Sequence, residues 1–416
     1  MEKQPIKLET NRISCRADFH GHAGRILLCS SWQTVNIGDI AHTPGILALI
    51  EKYLPESEVT LWPHEVSMEV AQMLRARFPT LRIASTAAEQ RTALEKCDFF
   101  LHGSGPSLAG LRQIEQWKNA SNKPYGIAGV TLTAGQIHDS RGLIAGAQFV
   151  FCRDSTSLTA LQAEGITGPL FDFGPDATFY LDLRNDAKSE TFLRAHALEK
   201  NGFACFVPRL RYTPCYGHGM TAKEITHRNT ENEKYWEIDH RKLREVIVAW
   251  VRGTGCKALL CPEQTYEVSL LKPLLFDPLP DDVKPNVTAL ASYWLTDEAA
   301  STYRRAAAVV SLEMHSPIIA IANNTPAIHV RQPTDTSKGQ MWRDIGLQDW
   351  LFEIDDVTGS QIAERLLEID RAPDKARQLV QKARRLIAER GVLMAKAIQQ
   401  GLDRSIETLA CGWAGI

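Results

Sequence analysis

The feature that most constrains this sequence is its rhythm. Short apolar runs alternate with longer amphipathic stretches, the pattern of an α/β protein with parallel sheets. In the first half the runs predict strands near 25–30 (Arg-Ile-Leu-Leu-Cys-Ser), 58–62, 81–84, 98–102, 124–128 and 148–152. Helices are expected between them, near 39–53, 66–78, 107–118 and 155–164. The second half repeats the pattern, with strands near 203–207, 257–261, 307–311 and 326–330. Its helices are expected near 235–253, 264–274, 297–306, 315–323 and 359–369. The strand runs are nearly continuous in apolar character, as strands buried on both faces require.

The chain has 416 residues, and a domain takes roughly 100–200, so two α/β domains are expected. The reading places an N-terminal arm at 1–24, one domain at 25–185, a second at 200–370 and a helical tail at 371–416. The boundary falls near 183–200, and the tail is amphipathic enough to pack back across the first domain. The stretch 208–232 is the least regular; it carries Arg209, Arg211, His218, Lys223, His227 and Arg228. The polar N-terminus has no apolar leader segment. No run reaches the roughly 18 apolar residues of a membrane span. A cytoplasmic protein is expected, with peripheral contact at the inner membrane face left open. Nine scattered cysteines without a CxxC pair read as reduced thiols, not as a disulfide framework or zinc site. A net charge of −2 gives no electrostatic footprint for nucleic acid.

In open α/β sheets ligands bind beyond the carboxyl ends of the strands, so the residues that follow each strand are the candidates. The first strand is followed by Asn36-Ile37-Gly38-Asp39, where Asp39 is either an N-cap or a functional acid. The fourth is followed by Gly103-Ser104-Gly105, either an anion-ready backbone turn or a plain connection. Arg153 stands at the end of the sixth, facing the expected cleft; its planar fork suits a carboxylate or phosphate, or else a neighbouring acid. His315 stands between a strand and an apolar helix, where the helix dipole disfavours its protonated form. Arg331 ends the next strand and Lys338 follows in a polar loop, so His315, Arg331 and Lys338 are expected to converge. Trp342, beyond Lys338, is the best of four tryptophans for stacking on a sugar.

Read in order, these pieces resemble the polysaccharide pyruvyl transferase family. Asn36-Ile37-Gly38-Asp39 looks like its N-x-G-D turn, and Gly103-Ser104-Gly105 with Ser107-Leu108 is similar to its Gly-rich turn. Arg153-Asp154 with Ser157, Leu161 and Gly165, then Pro175-Asp176-Ala177, then Met314-His315-Ser316, resemble further elements in the same order. The resemblance implies a GT-B-like fold of two Rossmann-like domains facing a cleft. It implies transfer of a pyruvyl group from phosphoenolpyruvate to hydroxyls of a sugar, glycan or lipid-linked saccharide, as a ketal. No cofactor or metal is implied, and oligomeric state, a homo-oligomer included, is left open. On this reading Asp39 accepts the hydroxyl proton and His315 is the acid or a phosphate ligand. Arg153 grips the donor bidentately and Lys338 acts as a point charge, with Arg331, Arg209 and the 103–105 turn as further donor contacts. One departure stands out: the family commonly has arginine two residues before the histidine, and this chain has Glu313. Either Arg331, Arg209 or Arg211 takes over that charge, or the donor differs. The alternatives are a GT-B glycosyltransferase using a sugar nucleotide and a non-catalytic anion- or sugar-binding relative.

Overall fold

The computed structural model describes residues 23–214 and 220–413. Two parallel sheets organise them. The first contains β1 (Arg25–Ser30), β2 (Glu58–Pro63), β3 (Arg82–Ile83), β4 (Phe99–His102), β5 (Tyr125–Val130), β6 (Phe149–Cys152) and β7 (Leu170–Phe173), in the order β3-β2-β1-β4-β5-β6-β7. The second contains β8 (Phe203–Val207), β9 (Lys257–Leu260), β10 (Val287–Ala289), β11 (Ala308–Ser311), β12 (Ala327–Arg331) and β13 (Leu351–Glu353), in the order β10-β9-β8-β11-β12-β13. Each sheet reverses its winding beside its first strand, at β1/β4 and β8/β11. There the connecting helices leave to opposite faces, and a crevice opens beyond the carboxyl ends.

β1 shows why these residues form such strands. Ile26, Leu27, Leu28 and Cys29 have no exposed surface. The two-residue period sends Ile26 and Leu28 into one core and Leu27 and Cys29 into the other. The strands the sequence misses are of another kind. β10 and β13 have three residues each, and β7 begins at a half-exposed Leu170. Short edge strands carry too few apolar residues to announce themselves.

Two local expectations are corrected. The irregular stretch ends early, because a helix runs Ala222–Thr254 from a capping box between Thr221 and Glu224. The first turns of that helix are largely exposed and polar, which hides the apolar period. The helix expected from residue 107 starts at Leu111. N-terminal arm residues 1–22 and His218 lie outside the described residues.

After β7 the chain crosses to the second unit, where the helix Asp186–Ala195 packs on the helix Thr296–Tyr303. The last helix, Pro373–Trp413, returns to the first sheet. Tyr180 donates from its hydroxyl to the Ile387 carbonyl at 3.0 Å, and Ser405 Oγ donates to the Asp98 carbonyl at 2.7 Å. Ile398 and Leu402 on this helix are fully buried. Ile398→Ala is expected to cost about 2–5 kcal/mol through lost burial and the cavity left behind. Exposed Lys382→Ala on the same helix is expected to stay within about 0.5 kcal/mol. Chemical unfolding of the two variants checks this.

Among the described residues Cys29, Cys97, Cys152, Cys205, Cys256 and Cys261 are free thiols. Among the described residues no helix is long and apolar enough to cross a membrane.

Candidate active site

The two units meet through backbone contacts that set the site. Ile37 N–H donates to the Glu263 carbonyl at 3.0 Å, and Thr265 N–H to the Val35 carbonyl at 2.9 Å. Thr296 Oγ1 donates to the Ile37 carbonyl at 2.7 Å. The turn after β1 is thereby pinned against the turn after β9.

Asn36, not Asp39, caps the helix Ile37–Tyr53, accepting from the Gly38 amide at 2.7 Å. Asp39 is therefore free of capping duty, and His42 lies one turn further along the same face. Gly38 is required here, because a Cβ at this position would lie 2.1 Å from the His315 ring. The opposing unit thus brings His315 directly onto the helix start.

His315 opens the helix His315–Ala322, and its Nδ1 lies 3.2 Å from Glu263 Oε1. Glu263 also accepts from the Ser316 amide at 2.5 Å. On the other side His42 Nδ1 lies 3.0 Å from Asp176 Oδ1. Arg153 Nη1 donates to Asp176 Oδ2 at 2.5 Å, and Arg153 Nε donates to Thr131 Oγ1 at 2.8 Å. The two histidine rings meet edge to face, with centroids 5.1 Å apart. Asp39 Oδ1 stands 3.7 Å from His42 Nε2, and Gln33 Nε2 donates to the other Asp39 oxygen. Two hydrogen-bonded chains, Arg153–Asp176–His42 and Glu263–His315, therefore converge on Asp39. The Nε2 atoms of both histidines are buried and have no hydrogen-bond partner.

The electrostatics follow from this packing. Burial would raise the Asp176 carboxyl, but its pairing with His42 and the Arg153 guanidinium holds it well below the usual range. Burial likewise opposes ionisation of Glu263, and His315 with the Ser316 amide brings it below normal. At His315, burial disfavours the cation, yet the bond to Glu263 and the fields of Glu263, Asp176 and Asp39 raise its pKa above the ordinary value. The push of the helix dipole against the cation is thus opposed by three carboxylates, whose combined field runs the other way.

The cationic candidates are distributed differently from the expectation. Arg153 has no exposed surface and stands behind Asp176, not at an open cleft. A strand-end arginine can turn inward when a buried acid awaits it, and Asp176 does. Arg209 Nη1 donates to Asp335 Oδ1 at 2.6 Å, and Arg209 Nε lies 3.2 Å from Glu313 Oε1. Lys338 Nζ is 3.6 Å from the same Asp335 oxygen. Arg209, Lys338, Glu313 and Asp335 form a second cluster two residues from His315. Arg331 does not join them and pairs with Glu353 at 3.1 Å. Of the two readings of the Gly103–Gly105 turn, the amide partners favour the plain connection, since both glycine N–H groups are tied to neighbouring strands. Gly103 N–H donates to the Cys29 carbonyl at 2.8 Å and Gly105 N–H to the Gly129 carbonyl at 3.2 Å. Ser104 Oγ donates to the Gly129 carbonyl at 2.8 Å. Trp342, the best of the four tryptophans for stacking on a sugar, is fully buried and takes a core role instead.

Sequence reasoning missed His42, Glu263 and the role of Asp176. The Asp39-x-x-His42 spacing was the one local signal, since residues three apart share a helix face.

Three further buried histidines, His102, His240 and His329, are each pushed down to about 4 by burial. The unfolded chain binds their protons near pH 6.5, whereas the folded chain resists until about pH 4. Between those values the unfolded state holds more protons, so stability falls as pH falls. The midpoint of thermal unfolding is expected to drop steadily from pH 7 towards pH 4.

The family model described as polysaccharide pyruvyl transferase matches residues 36–332, from the Asn36 cap to just past β12. No curated protein matches the chain. Solved structures resemble it at low identity. One is the Anabaena protein Alr3699/HepE in complex with UDP and glucose, with a TM-score of 0.54, 12% identity and coverage of 93% of this chain and 100% of that one. Another is UDP-GlcNAc 2-epimerase from Neisseria meningitidis bound to UDP-GlcNAc, with 0.55, 11%, 90% and 100%. A third is a UGT transferase from Siraitia grosvenorii in complex with UDP, with 0.54, 10%, 91% and 99%. These likenesses establish the GT-B-like arrangement of two parallel-sheet domains.

Proposed function

This chain belongs to the polysaccharide pyruvyl transferase family, and from that premise we propose that it transfers a pyruvyl group from phosphoenolpyruvate to two hydroxyls of a sugar or glycan, releasing phosphate. The observation that carries the reading is the meeting of Asp39 and His315 between the two units, with His315 Nε2 buried, unpartnered and held near carboxylates that favour its cation.

The chemistry needs a proton on the methylene carbon of phosphoenolpyruvate, which makes C2 electrophilic. His315 supplies that proton, and its Glu263 partner steadies the imidazolium. A sugar hydroxyl adds to C2, and Asp39 accepts its proton. Phosphate then leaves, and a second hydroxyl closes the ketal. Of the two hydroxyl protons, one replaces that given to the methyl group and the other leaves with phosphate. Arg153 acts through Asp176 and His42 as a positioning residue, not by touching the donor. Arg209 and Lys338 supply positive charge for the donor's carboxylate and phosphate. Arg209 lies against Glu313, which supports Arg209 as the arginine that takes over for the one the family commonly has at 313.

Isothermal titration tests this reading. Phosphoenolpyruvate is expected to bind saturably. Lys338→Ala is expected to weaken it by roughly 10–100-fold, the worth of one charged hydrogen bond. Binding of a sugar nucleotide with no heat from phosphoenolpyruvate would replace the reading with a GT-B glycosyltransferase.

A further inference from the structure

We propose that Asp39, His42 and His315 form a binding site for one divalent ion of the zinc class, and that filling it blocks transfer. The first clause stands apart from the function proposed above; the second rests on it.

One ligand atom from each of the three residues lies within 4.8 Å of the others, and all three residues are buried. The set is two imidazoles and one carboxylate, which suits zinc, copper or nickel in preference to magnesium or calcium. Three protein ligands with a fourth position left over is the arrangement of an exchangeable zinc site, not a closed structural one.

The groups behind the ligands point the same way. A metal-bound histidine usually donates its other ring N–H to a carboxylate, which fixes the ring and aims the free nitrogen. Both histidines have that partner: Asp176 at 3.0 Å from His42 Nδ1, and Glu263 at 3.2 Å from His315 Nδ1. The two Nε2 atoms are left buried without a hydrogen-bond partner, which costs free energy unless something meets them. Around them three carboxylates, Asp39, Asp176 and Glu263, face one arginine, Arg153. That surplus of negative charge favours a dication.

Zinc sits about 2.0–2.2 Å from nitrogen and oxygen ligands, so a tetrahedral set stands roughly 3.5 Å apart. Binding therefore draws the ligand atoms together by about 1 Å. Asp39 and His42 come from the first unit and His315 from the second, so the ion would clamp the two units. Asp39 and His315 are 8% and 6% exposed, which leaves an entry from the crevice. Once bound, His315 Nε2 has no lone pair to carry a proton, and Asp39 no longer receives one.

The test uses the full-length protein after chelator treatment. Zinc titration is expected to show one ion per chain. His42→Gln, which keeps a donor for Asp176, and Asp39→Asn are each expected to weaken binding at least 100-fold. Cobalt should give tetrahedral visible absorption bands that His315→Gln abolishes. Absence of saturable zinc binding overturns the proposal, and so does stoichiometric binding unchanged in all three variants. One equivalent of zinc is expected to stop phosphate release from phosphoenolpyruvate, and chelator to restore it. Zinc at this site with undiminished phosphate release overturns the second clause alone. Zinc binding is read without substrate, so failure of the transferase reading leaves the first clause standing.

Discussion

His315→Gln is expected to lower the rate of phosphate release at saturating phosphoenolpyruvate by about 10²–10⁴-fold, with little change in KM. A positioned proton donor contributes on that scale. Glutamine keeps the size and a donor for Glu263 but has no proton of suitable acidity. On the proposed mechanism the effect falls on the rate, because the proton moves only as the methylene carbon is attacked, whereas donor binding is assigned to Arg209 and Lys338. The geometry supports the assignment from both ends of the ring. Nδ1 is held by Glu263 at 3.2 Å, and Nε2 has no protein partner. A loss below tenfold, in a variant with unchanged circular dichroism and unfolding midpoint, would move the proton donor elsewhere.

Asp176→Ala destabilises the fold by about 3–5 kcal/mol, the cost of stranding a buried charge. The residue is fully buried, and it joins a fully buried Arg153 to His42. Removing its carboxylate leaves the Arg153 guanidinium with Thr131 as its one remaining side-chain partner, because Arg153 Nη2 already has none. The companion variant Arg153→Met with Asp176→Leu removes both charges together. It is expected to recover much of the loss, since an apolar pair of similar volume is often neutral or stabilising. Chemical unfolding of the single and double variants measures the difference. If Asp176→Ala costs less than 1 kcal/mol, the Arg153–Asp176 pair is not the support of the site described above.

The sheets were legible because their strands are buried on both faces, as Ile26–Cys29 shows. Asp39 and His315 were legible because winding reverses beside β1 and β8, which makes the ends of β1 and β11 natural ligand positions. The rest depended on tertiary contacts. Arg153 meets Asp176 across 23 residues, and a strand-end position does not reveal whether a side chain turns inward. Glu263 reaches His315 across 52 residues, from a turn that holds two acids, Glu263 and Glu267, with no local pattern to tell them apart. Lys338 and Arg209 were both singled out, yet Asp335, which joins them, was not, because the loop gave no period to read. Trp342 looked available because its loop is polar. It packs inward with its ring 6.2 Å from those of Phe179 and His329.

The measurement that bears most directly on the central claim is turnover with phosphoenolpyruvate carrying carbon-13 at C2, offered with a panel of sugars and glycans. Phosphate release and the labelled carbon would be followed together. The account predicts that phosphate appears in step with a ketal carbon on one acceptor, and that His315→Gln suppresses both. If no acceptor draws phosphate from phosphoenolpyruvate, while a sugar nucleotide yields free nucleoside diphosphate, the account is contradicted and the chain is a glycosyltransferase on the same fold.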